Sequence, residues 1–298
     1  MGYYELFAQK IPVKDFSLRH TVESAQPLAF YSKYDALSNT LTYPTFTQII
    51  NVAFKGDEKK GELVGVGRHG GIDSELRRRF RLGDKMSYIY KKINTDRFIG
   101  AAIKRFYGMR LTLNDPWEAT LCFVVSQNNN VKRIRSIVLK LIDRFGQPIK
   151  DDNDKIVAKA FPTSQDIASA SIEELKECGA GFRAEYIKEA AEFFASNLGN
   201  VNGDYYELKE ALMSVKGIGD KVADCIALMG FGKLEAFPID TWAKRVLEHA
   251  YFNGRSKSIE ALHDFTLERW GKYAGYAQQY LFWYGRQEKD WYNEKLGK

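Results

Sequence analysis

The chain contains few of the residues that build disulfide frameworks and metal centres. Its 298 residues include 3 cysteines and 4 histidines, and none of these stands at metal-ligand spacing from another. An odd, scattered set of cysteines is typical of proteins from a reducing compartment. We therefore expect neither a disulfide framework nor a cysteine-rich metal site.

Long apolar runs are absent as well. No stretch approaches the roughly 20 apolar residues that span a bilayer, and the first residues lack the apolar core of a signal peptide. We therefore expect a soluble, intracellular protein without a membrane partner. The net charge of +6 fits a nucleic-acid partner, but it also fits many enzymes that have none.

The spacing of apolar residues changes along the chain. Residues 1–75 contain short β-branched and aromatic stretches between turn residues, which predict mostly antiparallel strand. A basic, Gly-rich connector covers 65–84, and from Lys85 onward apolar residues recur at helical spacing. We predict an α+β fold, with a small antiparallel sheet domain over 1–84 and a large all-helical domain over 85–298. The helical part is expected to form two subdomains beside a cleft.

The most informative segment joins two amphipathic helices over residues 205–230. Gly217, Ile218 and Gly219 would form a tight hairpin, with the isoleucine packed between the helices and bare amides directed at a phosphate. Such a helix-hairpin-helix binds the DNA backbone without reading sequence. An ordinary turn between two core helices explains the glycines equally well.

Two ionisable residues flank the hairpin. Lys221 falls in the first turn of the second helix, where the helix dipole and partial burial disfavour the ammonium form. Asp240 precedes another helix, where capping is its simplest role. Together they provide what base excision by an amine requires, because the amine attacks the sugar C1′ while the carboxylate stabilises the cationic transition state.

The sequence GIGDKVADC followed by PID resembles the helix-hairpin-helix, Gly/Pro-Asp superfamily of DNA glycosylases, and specifically its 8-oxoguanine DNA glycosylase/AP lyases. The family's catalytic lysine and aspartate match Lys221 and Asp240. Monofunctional alkyl-base glycosylases of this fold usually lack the lysine, and iron–sulfur relatives carry four closely spaced cysteines that are absent here. The resemblance implies a monomeric enzyme that needs no cofactor. This enzyme would excise oxidised guanine from double-stranded DNA and nick the strand. The hairpin is also a candidate binding site for a monovalent or divalent cation.

Other segments extend the resemblance over roughly residues 12–287. The asparagine triplet and the segment GAGFRAEYI imply that Asn128, Arg133 and Arg183 contact the cytosine opposite the lesion. In the same segment, Phe182 would fill the space that the extruded base leaves. Taken without the resemblance, the asparagines are a helix-terminal turn and the phenylalanine is a core residue.

The C-terminal segment AGYAQQYLFWYG resembles the part of the family that surrounds the damaged base. The resemblance implies that Gln278 reads the edge of the base and that Phe282, one turn away, stacks on it. Cys225, one turn beyond Lys221, would pack on the opposite face.

Two positions depart from the family pattern. Ala25 stands where a glycine normally offers its carbonyl to the N7 proton of the oxidised base, and Trp242 stands where histidine is common. The lysine chemistry depends on neither residue. The range of damaged bases that the enzyme accepts depends on both.

Two alternatives stay open. The chain fits a monofunctional glycosylase for alkylated or deaminated bases, or a binding module that uses the hairpin without catalysis. The lysine–aspartate pair counts against the module, because gripping the DNA backbone requires neither residue. The basic runs 77–81 and 132–135 are candidates for phosphate contacts, although such runs are more often solvated faces.

Overall fold

A five-stranded antiparallel sheet begins the fold in the computed structural model, which describes residues 7–197 and 203–288. The strand order is β1-β5-β4-β3-β2, and Ile11 of β1 lies opposite Leu63 of β5. Burial alternates along β4, where Ile50 and Val52 face the core, as expected for a sheet with one covered face. The strands are β1 (Phe7–Val13), β2 (Lys33–Asp35), β3 (Thr40–Pro44), β4 (Ile49–Gly56) and β5 (Gly61–Gly67).

The prediction of mostly strand over residues 1–75 was wrong for two segments between β1 and β2, which form helices α1 and α2. Ser17 caps α1 and accepts a hydrogen bond from the His20 amide, and Leu18 and Val22 lie one turn apart with both side chains buried. The β-branched composition of this segment therefore misled the strand prediction. The helices are α1 (Leu18–Glu23) and α2 (Pro27–Tyr31).

The basic connector also contains a helix, α3 (Ile72–Arg79). Its arginines are engaged by the protein, since Arg77 pairs with Asp73 at 2.7 Å and Arg81 pairs with Asp84 at 2.7 Å. Arg79 is 1% exposed and forms a buried ion pair with Glu118. Most arginines of the first basic run therefore form ion pairs within the protein, and phosphate contacts by the exposed Arg77 and Arg78 stay a prediction.

The rest of the described chain is mainly helical, as predicted, with one addition. A two-stranded hairpin, β6–β7, lies between α7 and α8, so this part of the chain is not all helix. Its elements are α4 (Met86–Ile93), α5 (Arg97–Arg105), α6 (Pro116–Ser126), α7 (Val131–Phe145), β6 (Pro148–Lys150), β7 (Ile156–Lys159), α8 (Ser164–Ala168), α9 (Ile172–Glu177), α10 (Arg183–Asn197), α11 (Tyr205–Met213), α12 (Asp220–Met229), α13 (Thr241–Phe252), α14 (Ile259–Trp270), a 3₁₀ turn (Gly271–Tyr273) and α15 (Ala274–Gln287).

Sheet and helices share a continuous hydrophobic core, which includes Phe16 and Leu63 on the sheet side and Trp117 and Leu228 on the helical side. A buried polar network reinforces this contact around Arg79, which also bonds to Tyr31 and Asn114. The predicted division at 84/85 stays a prediction. No helix within the described ranges is both long and apolar enough to cross a membrane.

Candidate active site

The predicted hairpin joins α11 to α12. Ile218 is 3% exposed and packs into the core between the two helices. Gly217 has a φ of 88°, and a Cβ built on it would lie 2.2 Å from the Tyr186 ring, so the turn requires glycine there. Gly219 is the N-cap of α12 and faces open space. The hairpin thus presents an accessible helix N-terminus to an anion.

Lys221 lies in the first turn of α12, as predicted, and is half-buried. Its Nζ lies 5.5 Å from the centroid of the Phe123 ring, and Cys225 follows one turn along the same helix. Burial raises the pKa of the Cys225 thiol to about 11, although the Lys221 charge opposes this shift. The thiol is therefore neutral near pH 7, and it lines the same cavity as the Lys221 amine and the Phe123 ring.

Asp240 is the N-cap of α13, as predicted from the sequence. Its Oδ1 accepts a hydrogen bond of 2.7 Å from the Ala243 amide. The residue is only half-buried and lines the same cavity as Lys221. The carboxylate therefore has a fixed orientation and still reaches the space beside the lysine.

One cavity of about 120 Å³ collects all six residues that were predicted for catalysis and for the damaged-base pocket. They come from four separate elements, namely the loop after α1, helices α12 and α15, and the segment before α13. The walls combine apolar surface with a few polar groups, as is usual for a small-ligand site. The lining residues are Ala25, Phe30, Phe123, Ser126, Asn129, Val131, Ile134, Lys221, Cys225, Met229, Pro238, Asp240, Gln278, Gln279, Phe282 and Arg286.

Gln278 offers an unused acceptor in this cavity. Its side chain is 5% exposed and donates a hydrogen bond of 3.2 Å to the Pro238 carbonyl. Its Oε1 is buried and has no hydrogen-bond partner among the described residues. A buried polar atom without a partner costs free energy unless a ligand supplies the missing donor.

Ala25 adopts a backbone conformation that favours glycine. Its φ is 58°, in the left-handed region, and the residue lines the cavity. A left-handed non-glycine residue costs roughly 1–2 kcal/mol and persists only where its surroundings hold it. The alanine therefore reproduces a backbone shape that glycine adopts without strain.

Phe282 forms one wall of the cavity, and its ring contacts the side chain of Arg286. The Arg286 guanidinium lies 5.6 Å from the Phe282 ring and 6.0 Å from the Trp242 ring. Trp242 also faces Arg245 at 5.8 Å. The position where histidine is common is thus occupied by an indole among cationic side chains.

The residues predicted to contact the opposite base form a second group beside the cavity. Phe182 is 57% exposed at the start of α10, so it is not a core residue. Arg183 is 2% exposed; it donates to the Asn128 carbonyl at 2.9 Å and, through two nitrogens, to the Gln127 carbonyl. Asn128 itself is exposed with a φ of 46°, the left-handed helix-terminal turn that was the structural alternative.

Arg183 is therefore committed to carbonyl groups in this conformation. Its guanidinium lies 4.3 Å from the centroid of the Phe182 ring and packs against that ring in a cation–π contact. Burial of Arg183 lowers its pKa, and the nearby charge of the exposed Arg133 lowers it further. Contact of Arg183 with an orphan base would require it to exchange at least one of its bonds to the carbonyls of residues 127 and 128.

A charged cluster lies at the start of α12, behind the hairpin. Asp220, Asp224 and His263 place one ligand atom each within 4.8 Å of one another. The Lys209 ammonium lies 2.7 Å from the Asp220 carboxylate and 2.9 Å from that of Asp224. The lysine already neutralises this acidic group and ties α11 to α12.

Three polar residues of the site escaped the sequence interpretation. Gln127 donates from its side chain to the Gly217 carbonyl at 2.9 Å and so connects the asparagine turn to the hairpin. Gln279 and Arg286 both line the cavity. Only Arg286 carried a usable signal, since it lies four residues beyond Phe282 and shares its helical face.

Comparisons with known proteins agree with this geometry. A family model described as "HhH-GPD superfamily base excision DNA repair protein" matches residues 121–272. An N-glycosylase/DNA lyase of Saccharomyces cerevisiae is 28% identical over 261 residues, which cover 74% of this chain and 69% of that protein.

Solved structures also resemble the chain over nearly all of its length. The structure of MBOgg1 with a low-affinity DNA ligand has a TM-score of 0.84 and 30% identity, and the match covers 96% of this chain and 99% of that one. The 8-oxoguanine glycosylase/lyase of Clostridium acetobutylicum, bound to double-stranded DNA with cytosine opposite 8-oxoG, has a TM-score of 0.83 and 25% identity over 97% and 100% of the two chains. The chain belongs to the HhH-GPD superfamily of base excision DNA repair proteins.

Proposed function

We propose that the protein is a bifunctional 8-oxoguanine DNA glycosylase/AP lyase. The observation that carries the proposal is the convergence of Lys221, Asp240 and Gln278 in one cavity beside a helix-hairpin-helix. A hairpin that only binds the DNA backbone does not need an amine, a carboxylate or a free amide oxygen around a cavity the size of a base. The relatives named as N-glycosylase/DNA lyase and as 8-oxoguanine glycosylase/lyase support the same reaction.

DNA binding begins at the hairpin. The open backbone around Gly219, at the N-terminus of α12, receives a phosphate of the damaged strand. The exposed Phe182 ring then occupies the gap left by the extruded nucleotide, with Arg183 beneath it. The exposed Asn128 and Arg133 face the cytosine that remains.

The cavity reads the extruded base on its edge and on its two faces. The free Oε1 of Gln278 accepts a hydrogen bond from the Watson–Crick edge. Phe282 stacks on one face and the neutral thiol of Cys225 packs on the other. The Ala25 carbonyl accepts the N7 proton that 8-oxoguanine carries and guanine lacks.

The nucleophile of the reaction is the Lys221 amine. Its nitrogen attacks C1′ as the glycosidic C1′–N9 bond breaks, and the base leaves with the electron pair and takes up the proton that the attacking nitrogen loses. The Asp240 carboxylate stabilises the positive charge on the sugar. Ring opening gives a Schiff base between the lysine and C1′, loss of a C2′ proton breaks the C3′–O bond, and water then releases the lysine.

Base release from matched duplexes tests the proposal. One duplex carries 8-oxoguanine opposite cytosine, and two others carry 3-methyladenine or hypoxanthine. We expect release and strand cleavage for the first duplex only. Release of the alkylated or deaminated base without cleavage would instead identify a monofunctional glycosylase.

A further inference from the structure

Gln279 is adjacent to the base-reading Gln278, but its side chain is bonded to the protein. It lines the cavity, is 3% exposed and donates a hydrogen bond of 2.8 Å to the Ser24 carbonyl. That carbonyl belongs to the planar peptide unit that ends at the Ala25 nitrogen. The bond from α15 therefore fixes the orientation of the peptide on the N-terminal side of Ala25.

The C-terminal side of Ala25 is held as firmly. Gln26 is 1% exposed, and its Nε2 donates to the Ser24 hydroxyl at 2.9 Å and to the Arg110 carbonyl at 2.9 Å. Its Oε1 accepts a 2.7 Å hydrogen bond from the Thr112 amide. Both neighbours of Ala25 are thus buried and fixed, which leaves its own torsions little freedom.

We infer that Gln279 is a positioning residue for lesion recognition, which holds Ala25 in the left-handed conformation and so directs its carbonyl into the cavity. An alanine released from this constraint moves toward negative φ, where L-residues are more stable, and its carbonyl turns away. A glycine at this position adopts the same shape without help. Gln279 thus compensates for the methyl group of Ala25, and the inference rests on the proposed function.

The substitution Gln279→Met tests the inference, because it keeps the length of the side chain and removes the amide donor. We expect single-turnover excision of 8-oxoguanine opposite cytosine to fall about tenfold, the factor that corresponds to one buried hydrogen bond. Strand cleavage at a preformed abasic site is expected to stay at the wild-type rate, because that substrate presents no base to Ala25. The exposed Gln287, changed to Met on the same helix, is the matched control and should leave both rates unchanged.

Rescue provides the second measurement. Adding Ala25→Gly to Gln279→Met should restore most of the excision rate, since glycine does not need the constraint. The inference is overturned if Gln279→Met excises normally, if both activities fall equally, or if the glycine gives no recovery. A wild-type protein inactive on both substrates would refute the proposed function itself, which is a distinguishable outcome.

Discussion

The side-chain amide of Gln127 donates a hydrogen bond of 2.9 Å to the main-chain carbonyl of Gly217. The carbonyl of the same glutamine accepts hydrogen bonds from the Arg183 guanidinium. One residue at the end of α6 therefore connects the 217–219 hairpin with Arg183, which lies against the Phe182 ring, so the hairpin and the Phe182 segment hold a fixed relative position.

Gln127→Met removes the link to the hairpin and leaves the charge unchanged. We expect affinity for an undamaged duplex to fall about fivefold, since one hydrogen bond contributes about 1 kcal/mol. The salt dependence of binding should not change, because no phosphate-neutralising charge is lost. Fluorescence anisotropy at several salt concentrations measures both quantities, with the exposed Gln165→Met as control. Wild-type affinity in the variant would show that other contacts hold the hairpin.

The two hairpin glycines should respond differently to alanine. Gly217→Ala forces a Cβ to within 2.2 Å of the Tyr186 ring at a φ of 88°, so we expect a loss of about 1–3 kcal/mol in the free energy of unfolding. Gly219→Ala meets no atom within 4 Å, and its change should stay within about 0.5 kcal/mol. Chemical denaturation of both variants measures this difference, and equal losses would contradict the hairpin geometry.

Burial of Cys225 makes stability depend on alkaline pH. Its folded-state pKa of about 11 exceeds the ordinary value of 9.0, so the folded state holds the thiol proton more tightly than the unfolded state does. This contribution is fully present below pH 9 and is lost as the pH rises through 11, and it amounts to about 3 kcal/mol at most. The difference in unfolding free energy between wild type and Cys225→Ala should therefore change between pH 8.5 and 11. A constant difference would mean that the thiol is not shielded from water.

The buried ion pair between α3 and α6 should contribute far more than a surface pair. Arg79 and Glu118 are each 1% exposed, and Glu75 remains as a second partner of Arg79 at 2.8 Å, so Glu118→Gln should cost about 1–3 kcal/mol of unfolding free energy. Asp73→Asn breaks the exposed pair with Arg77 and should cost less than about 1 kcal/mol. Urea denaturation compares the two, and similar losses would contradict the structural role of the buried pair.

The sequence predicted those features that depend on local patterns. The hairpin, the position of Lys221 in the first turn of α12 and the capping by Asp240 follow from helix spacing and cap preferences. Helix α1 was missed because its β-branched residues favour strand, and the Ser17 cap and tertiary burial outweigh that preference.

Long-range hydrogen bonds could not be predicted from the same patterns. The engagement of Arg183 by the carbonyls of residues 127 and 128 joins segments more than fifty residues apart. The constraint on Ala25 joins α15 to the loop after α1, 255 residues apart in the chain. Nothing in the spacing of a glutamine on a helix indicates which distant carbonyl it will meet.

Borohydride trapping tests the central claim most directly, with wild type and Lys221→Gln compared on a duplex that carries one 8-oxoguanine opposite cytosine. Reduction of the Schiff base fixes the protein to the DNA covalently. We predict a trapped adduct with wild type and none with Lys221→Gln. An equal yield of adduct from Lys221→Gln would contradict the assignment of the nucleophile, and base release by wild type without any adduct would contradict the lyase mechanism.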